Sequence, residues 1–174
     1  MAKPKLYEQG LEEYPRSSTI IGNIAMAAWI ALGTIGCWFL SPVGAWIFLA
    51  FAVIMVGVAL RKLVCTNCYY YDRWCSIGWG KLSALMFPKG DEDKFSTSLG
   101  QKIAPITYGI LTVIPIVFLV TSMFDSSRLL IPKIIVLVLL LAVSFYSGTS
   151  GRKKGCSNCK MRLVCGGSAV KESE

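Results

Sequence analysis

No Asp, Glu, Lys or Arg occurs from Ser17 to Leu60, from Ile103 to Phe124, or from Ile134 to Gly151. A charge at the centre of a bilayer costs about 2.5–3.5 kcal/mol on insertion scales, so runs this long mark where hydrocarbon sits. A helix rising about 1.5 Å per residue needs roughly 20 residues to cross a core of about 30 Å. Four spans fit: Ser17–Leu40, Val43–Leu60, Ile103–Phe124 and Leu129–Gly148. The connections Ser41-Pro42-Val43-Gly44 and Asp125-Ser126-Ser127-Arg128 are short enough only for antiparallel hairpins. With 54% hydrophobic and 16% charged residues and a mean hydropathy of +0.56, the chain is too apolar for a water-soluble domain of this size.

The expectation is therefore an all-α membrane protein. It comprises a tail over 1–16, a hairpin over 17–60, a loop over 61–102, a second hairpin over 103–148 and a tail over 149–174. The first 16 residues are polar, and the long apolar run after them shows no small-residue cleavage site, so the first segment is expected to persist as a helix. Sixteen of the eighteen Lys and Arg fall in the two tails and the central loop; the short turns hold Arg128 and Lys133. Cytoplasmic segments carry the excess of basic residues, which places both termini and the central loop in the cytoplasm of a multi-pass cell-membrane protein.

Six of the seven cysteines fall just after the hairpins, as Cys65-x2-Cys68-x6-Cys75 and Cys156-x2-Cys159-x5-Cys165. The first pairs read Cys-Thr-Asn-Cys and Cys-Ser-Asn-Cys, and a basic residue, Arg73 or Arg162, precedes each third cysteine. The chain thus reads as two tandem hairpin repeats, each followed by a metal-binding segment. In a reducing compartment such cysteines point to metal or redox chemistry rather than disulfides, and Cys-x2-Cys is the tight knuckle that brings two thiolates to one ion. The chain has no histidine, which excludes His-ligated haem, Rieske centres and Cys2His2 zinc sites. Zinc, copper(I) and iron–sulfur clusters remain, because soft thiolates select all three. Three cysteines per copy leave open a fourth ligand from elsewhere, a cluster with one iron lacking a cysteine, or a site shared by both triplets.

The six cysteines taken together are similar to the binuclear Zn2Cys6 cluster of fungal zinc-cluster transcription factors. That resemblance covers Cys65, Cys68, Cys75, Cys156, Cys159 and Cys165, and implies a ligand geometry with bridging thiolates; it carries no implication of DNA binding. Here 80 residues separate the triplets, where that family uses a short linker. A pseudo-twofold axis along the membrane normal would bring the two together. Arg61, Lys62 and Arg73 beside the first triplet, and Arg152, Lys153, Lys154, Lys160 and Arg162 beside the second, would offset the charge of a metal–thiolate site. They equally suit a headgroup layer.

Trp79, Leu82, Leu85 and Met86 recur at helical spacing before Pro88, predicting a short helix lying on the membrane. Tyr69, Tyr70, Tyr71 and Trp74 read as interfacial anchors. Cys37, near Gly33 and Gly36, reads as a packing residue, and Pro115 as a kink in the third span. No histidine base or framed carboxylate pair supports catalysis. Nucleic acid is not an expected partner, since an anionic leaflet accounts for the basic balance. Three functions fit: an accessory or scaffold subunit of a larger membrane complex, an electron-transfer subunit with iron–sulfur clusters, or a handler of soft metal or sulfur.

Overall fold

The computed structural model describes residues 6–125 and 130–170. Its long elements are helices α1 (Arg16–Trp38), α2 (Pro42–Ile54), α5 (Leu99–Asp125) and α6 (Leu130–Tyr146), with short helices α3 (Leu60–Leu63), α4 (Trp79–Met86) and α7 (Arg152–Ser157). Four continuous helical runs are long and apolar enough to cross a membrane: Arg16–Trp38, Pro42–Asn67, Leu99–Phe124 and Leu130–Ser157. The protein is all-helical, with no strand among the described residues, and its apolar helices suit a multi-pass membrane protein.

The first hairpin turns where expected. Ser41 caps α2 by accepting from the Gly44 amide at 3.2 Å, and Pro42 takes the first helical position, where its missing N–H costs nothing. Residues 126–129 of the second turn lie outside the described residues, as do Lys3, Lys5, Arg128 and Lys171 of the charge argument. Helices two and four run further than the charge-free gaps predicted. Each passes through a five-residue π-helical turn, Met55–Ala59 or Ser147–Gly151, into α3 or α7. Charge ends the hydrocarbon and not the hydrogen-bonded ladder, so Arg61 and Lys62 extend the helix out of the membrane instead of stopping it.

Helix α1 is the centre of the bundle, packing on α2, α5 and α6. Gly33 and Gly36 make this possible. A Cβ at Gly33 would stand 2.8 Å from Phe48 of α2, and one at Gly36 would stand 3.0 Å from Leu119 of α5. Pro115 is buried against both glycines, within a helix that continues past it. Cys37 is fully buried in this core, as its setting predicted. Trp29 ties α1 to α6, its indole N–H donating to the Ser144 hydroxyl at 3.0 Å. Lys133 is not in a turn, where the sequence placed it: it sits inside α6, buried, and donates to the Ser122 carbonyl near the end of α5. Carbonyls in a helix's last turn lack intrahelical donors, and the ammonium supplies one.

Candidate functional site: a six-thiol head at one end of the bundle

The two triplets, far apart in sequence, lie at the same end of the bundle as the chain's first described residues. Residues 7–14 form a strap that binds both. Its Tyr7 amide donates to the Lys160 carbonyl at 2.9 Å, its Leu11 amide to the Asn158 carbonyl at 2.9 Å, and its Tyr14 amide to the Trp74 carbonyl at 2.8 Å. Leu11 also pairs with Cys159 in a short parallel bridge. Two phenols complete the joint. Tyr14 donates to the Gly155 carbonyl at 2.5 Å, while Tyr70 donates to the Leu11 carbonyl at 2.7 Å and accepts from the Lys160 amide at 3.1 Å. Their rings meet edge to face with centroids 5.6 Å apart. Tyr70 is thus no interfacial anchor: it is buried at 3% exposure, because its hydroxyl is the link between strap, first triplet and second.

The turns within the triplets correspond. The Cys68 amide donates to the Cys65 carbonyl at 3.3 Å and the Cys159 amide to the Cys156 carbonyl at 3.1 Å. The Cys68 carbonyl then accepts from the Tyr71 amide at 2.9 Å, and that of Cys159 from the Arg162 amide at 3.2 Å. Farther on, Cys75 and Cys165 accept through their carbonyls from Gly78 and Ser168, three residues ahead in each case. Such turns curl the backbone so that amides point at sulfur. The Trp79 amide donates to Cys75 Sγ at 3.2 Å.

Helix α1 supports the first triplet from below. Thr19 donates to the Cys75 carbonyl at 2.9 Å and Asn23 to the Ile77 carbonyl at 2.9 Å. Above, α4 forms where its spacing predicted; Leu85 is 83% exposed and Met86 is exposed, whereas Trp79 turns inward and is buried in the bundle core. The loop carrying Tyr70 lies directly on Gly80, whose carbonyl accepts from Asp72 at 3.2 Å. A Cβ there would come within 1.8 Å of the Tyr70 carbonyl oxygen, so only glycine fits.

All six cysteines are free thiols and none is fully buried. They are within electrostatic reach of one another both within and across triplets: Cys68 feels Cys65, Cys75 and Cys159, and Cys159 feels Cys156, Cys165 and Cys75. Burial pushes the Cys68 thiol well up and that of Cys159 up to about 11, neighbouring sulfurs add to the rise, and the backbone amides oppose it. Cys165 is also pushed up by burial, against which the Gly167 amide and the Arg152 guanidinium act. Arg61 lies near Cys65 in a matching place, one helical turn before the first cysteine of its triplet, and the buried Ser83 hydroxyl stands beside Cys65 with no partner in the structure. Among the described residues, no group of three or more His, Cys, Asp or Glu is placed so as to hold a metal ion. The sulfurs are gathered, then, without being closed on a common point.

One carboxylate fastens this head. Glu12, on the strap, pairs with Lys160 of the second triplet and with Arg73 of the first, the latter at 3.0 Å, and accepts from the Tyr69 hydroxyl. The Lys160 and Tyr69 hydrogen bonds hold its carboxyl at about 2, well below the ordinary carboxylate range. A group whose folded pKa is depressed contributes stability above its unfolded pKa and loses it as pH falls towards the folded one. The clamp is therefore intact above about 4.5 and released as pH falls towards about 2. In Glu12→Gln protein, thiols of the head should label faster with a soluble maleimide at pH 7 than in wild type. Unfolding scans should also show the stability gap between wild type and variant closing between pH 4.5 and pH 2. Equal labelling would refute the clamp. The sequence reading did not single out Glu12; a lone acid in a basic-rich headgroup region was the available signal.

Comparison with known proteins brings out no matching family, curated relative or solved structure.

Proposed function

We propose that this is a small integral membrane protein whose head captures a soft metal ion on Cys65, Cys68, Cys75, Cys156, Cys159 and Cys165. Bound metal would lock the ends of the two hairpins together, and the protein would serve as an accessory or scaffold subunit of a larger membrane complex. The observation that carries the reading is that one strap, residues 7–14, binds both triplets at one end of the bundle and so brings six free thiols together there. The donor set fits: it is all sulfur, the Trp79 amide already donates to Cys75 Sγ, and Arg61 and Arg152 stand beside thiols whose ionised forms they favour. Closure requires the sulfurs to draw together beyond where they stand here, with loss of thiol protons. The matching turns and the matching π-helical segments support reading hairpin plus triplet as a duplicated unit. The basic residues of the tails and loop support a cytoplasmic position for this head.

Zinc is the ion we favour, since an all-thiolate closed site is the structural form zinc takes. Anaerobic purification with metal analysis tests this. A colourless protein holding about one or two zinc ions per chain supports the scaffold reading. A brown, bleachable protein with iron and sulfide supports instead an electron-transfer subunit. A protein that binds neither, and takes up no zinc in titration, refutes the metal site.

A further inference from the structure

Between α1 and α2 lies a groove of about 270 Å³ whose walls include Asn23 and Ile30 from α1 and Val53 and Gly57 from the second helical run. Arg61 and Trp79 lie at its end nearest the thiol head. Its walls are apolar except at that end. Val53 is 55% exposed, so the groove opens sideways towards lipid and not into the bundle. A Cβ at Gly57 would meet only Val53 Cγ1, at 4.0 Å, which leaves an open channel along the helix at that point.

The polar end holds one unsatisfied donor. Asn23 spends its amide N–H groups on the Thr19 and Ile77 carbonyls and accepts from the Trp79 indole at 3.4 Å. The Arg61 guanidinium lies over the Trp79 ring, 5.2 Å from its centroid, with Nε buried and without a hydrogen-bond partner. No ion pair among the described residues involves Arg61. Neither helix forming the groove carries a carboxylate anywhere in the charge-free run from Ser17 to Leu60. A permanent cation at the depth where hydrocarbon ends, without an ion-pair partner and at the polar end of an apolar trough, matches a phosphate ester with an acyl chain attached.

We propose that this groove binds one anionic glycerophospholipid, its phosphate on Arg61 and one acyl chain along Ile30, Val53 and Gly57. The site differs from the thiol head and does not depend on metal there. Arg61 nonetheless touches both, so lipid and thiols share one guanidinium.

Native mass spectrometry of the full chain, released from nanodiscs of mixed phosphatidylglycerol and phosphatidylcholine, tests the site. Wild type should retain one phosphatidylglycerol in about fivefold or greater preference over phosphatidylcholine, the factor that one desolvated basic contact supplies. Arg61→Gln should abolish the preference, and Lys62→Gln, at the exposed neighbouring position, should leave it intact. Gly57→Leu, which fills the trough without meeting backbone, should abolish retention of both lipids. Three results would overturn the proposal: equal retention of the two lipids by wild type, equal loss in Arg61→Gln and Lys62→Gln, or undiminished retention in Gly57→Leu. Displacement of the lipid by inorganic phosphate alone would also overturn it, by showing an anion site that makes no use of the chain.

Discussion

If the head binds zinc as proposed, Cys68→Ser protein is expected to bind it more weakly than wild type by more than the roughly 10–100-fold that follows from disturbing an outer-shell partner. Cys68 is the informative position because its sulfur is within reach of two cysteines of its own triplet and of Cys159 across the joint. A hydroxyl in its place has little affinity for a soft ion. Its loss should also loosen the joint between triplets, read as faster maleimide labelling of the remaining head cysteines. The matched control is Cys37→Ser, buried in the bundle core and outside the head, which should leave metal content as it was. Equal zinc in Cys68→Ser and wild type would remove Cys68 from the ligand set.

The second large effect is expected from the smallest change. Gly80→Ala adds one methyl group where the Tyr70 carbonyl oxygen would stand 1.8 Å away and that of Arg73 2.6 Å away. Both contacts are backbone atoms, which cannot swing aside as a flexible side chain does. Overpacking in a well-packed region costs about 1–3 kcal/mol when rotamers can adjust, and here the first triplet's loop must lift from α4. The expected result is a head that no longer closes: lower thermal stability, rapid thiol labelling and weakened zinc uptake, with the four spans still helical by circular dichroism. A variant indistinguishable from wild type would show that the loop does not rest on Gly80 as described.

Four spans were legible because the cost of charge in hydrocarbon leaves an unambiguous trace: long runs without Asp, Glu, Lys or Arg. The joining of the two triplets at one end was legible from hairpin counting. What the sequence left hidden followed from contacts without periodicity. Tyr70 was read as an anchor because aromatic residues near a span usually are, and nothing local says that its hydroxyl meets Leu11 and Lys160. The extension of helices two and four through π-helical turns was hidden because composition reports solvent and not backbone continuity. Lys133 was misplaced for a related reason: a single basic residue beside a turn looks exposed until a carbonyl such as that of Ser122 is known to await it.

The strap has a consequence for synthesis. Its residues 7–14 precede all four spans in sequence, yet two of their hydrogen-bond partners, Asn158 and Lys160, follow the last of them. Translation delivers residues in order, at about 5–20 per second, so the strap can meet Trp74, Tyr70 and Arg73 once two spans are made, and reaches Asn158 and Lys160 only after all four. Until then Cys65, Cys68 and Cys75 lie under a strap fastened to one triplet alone.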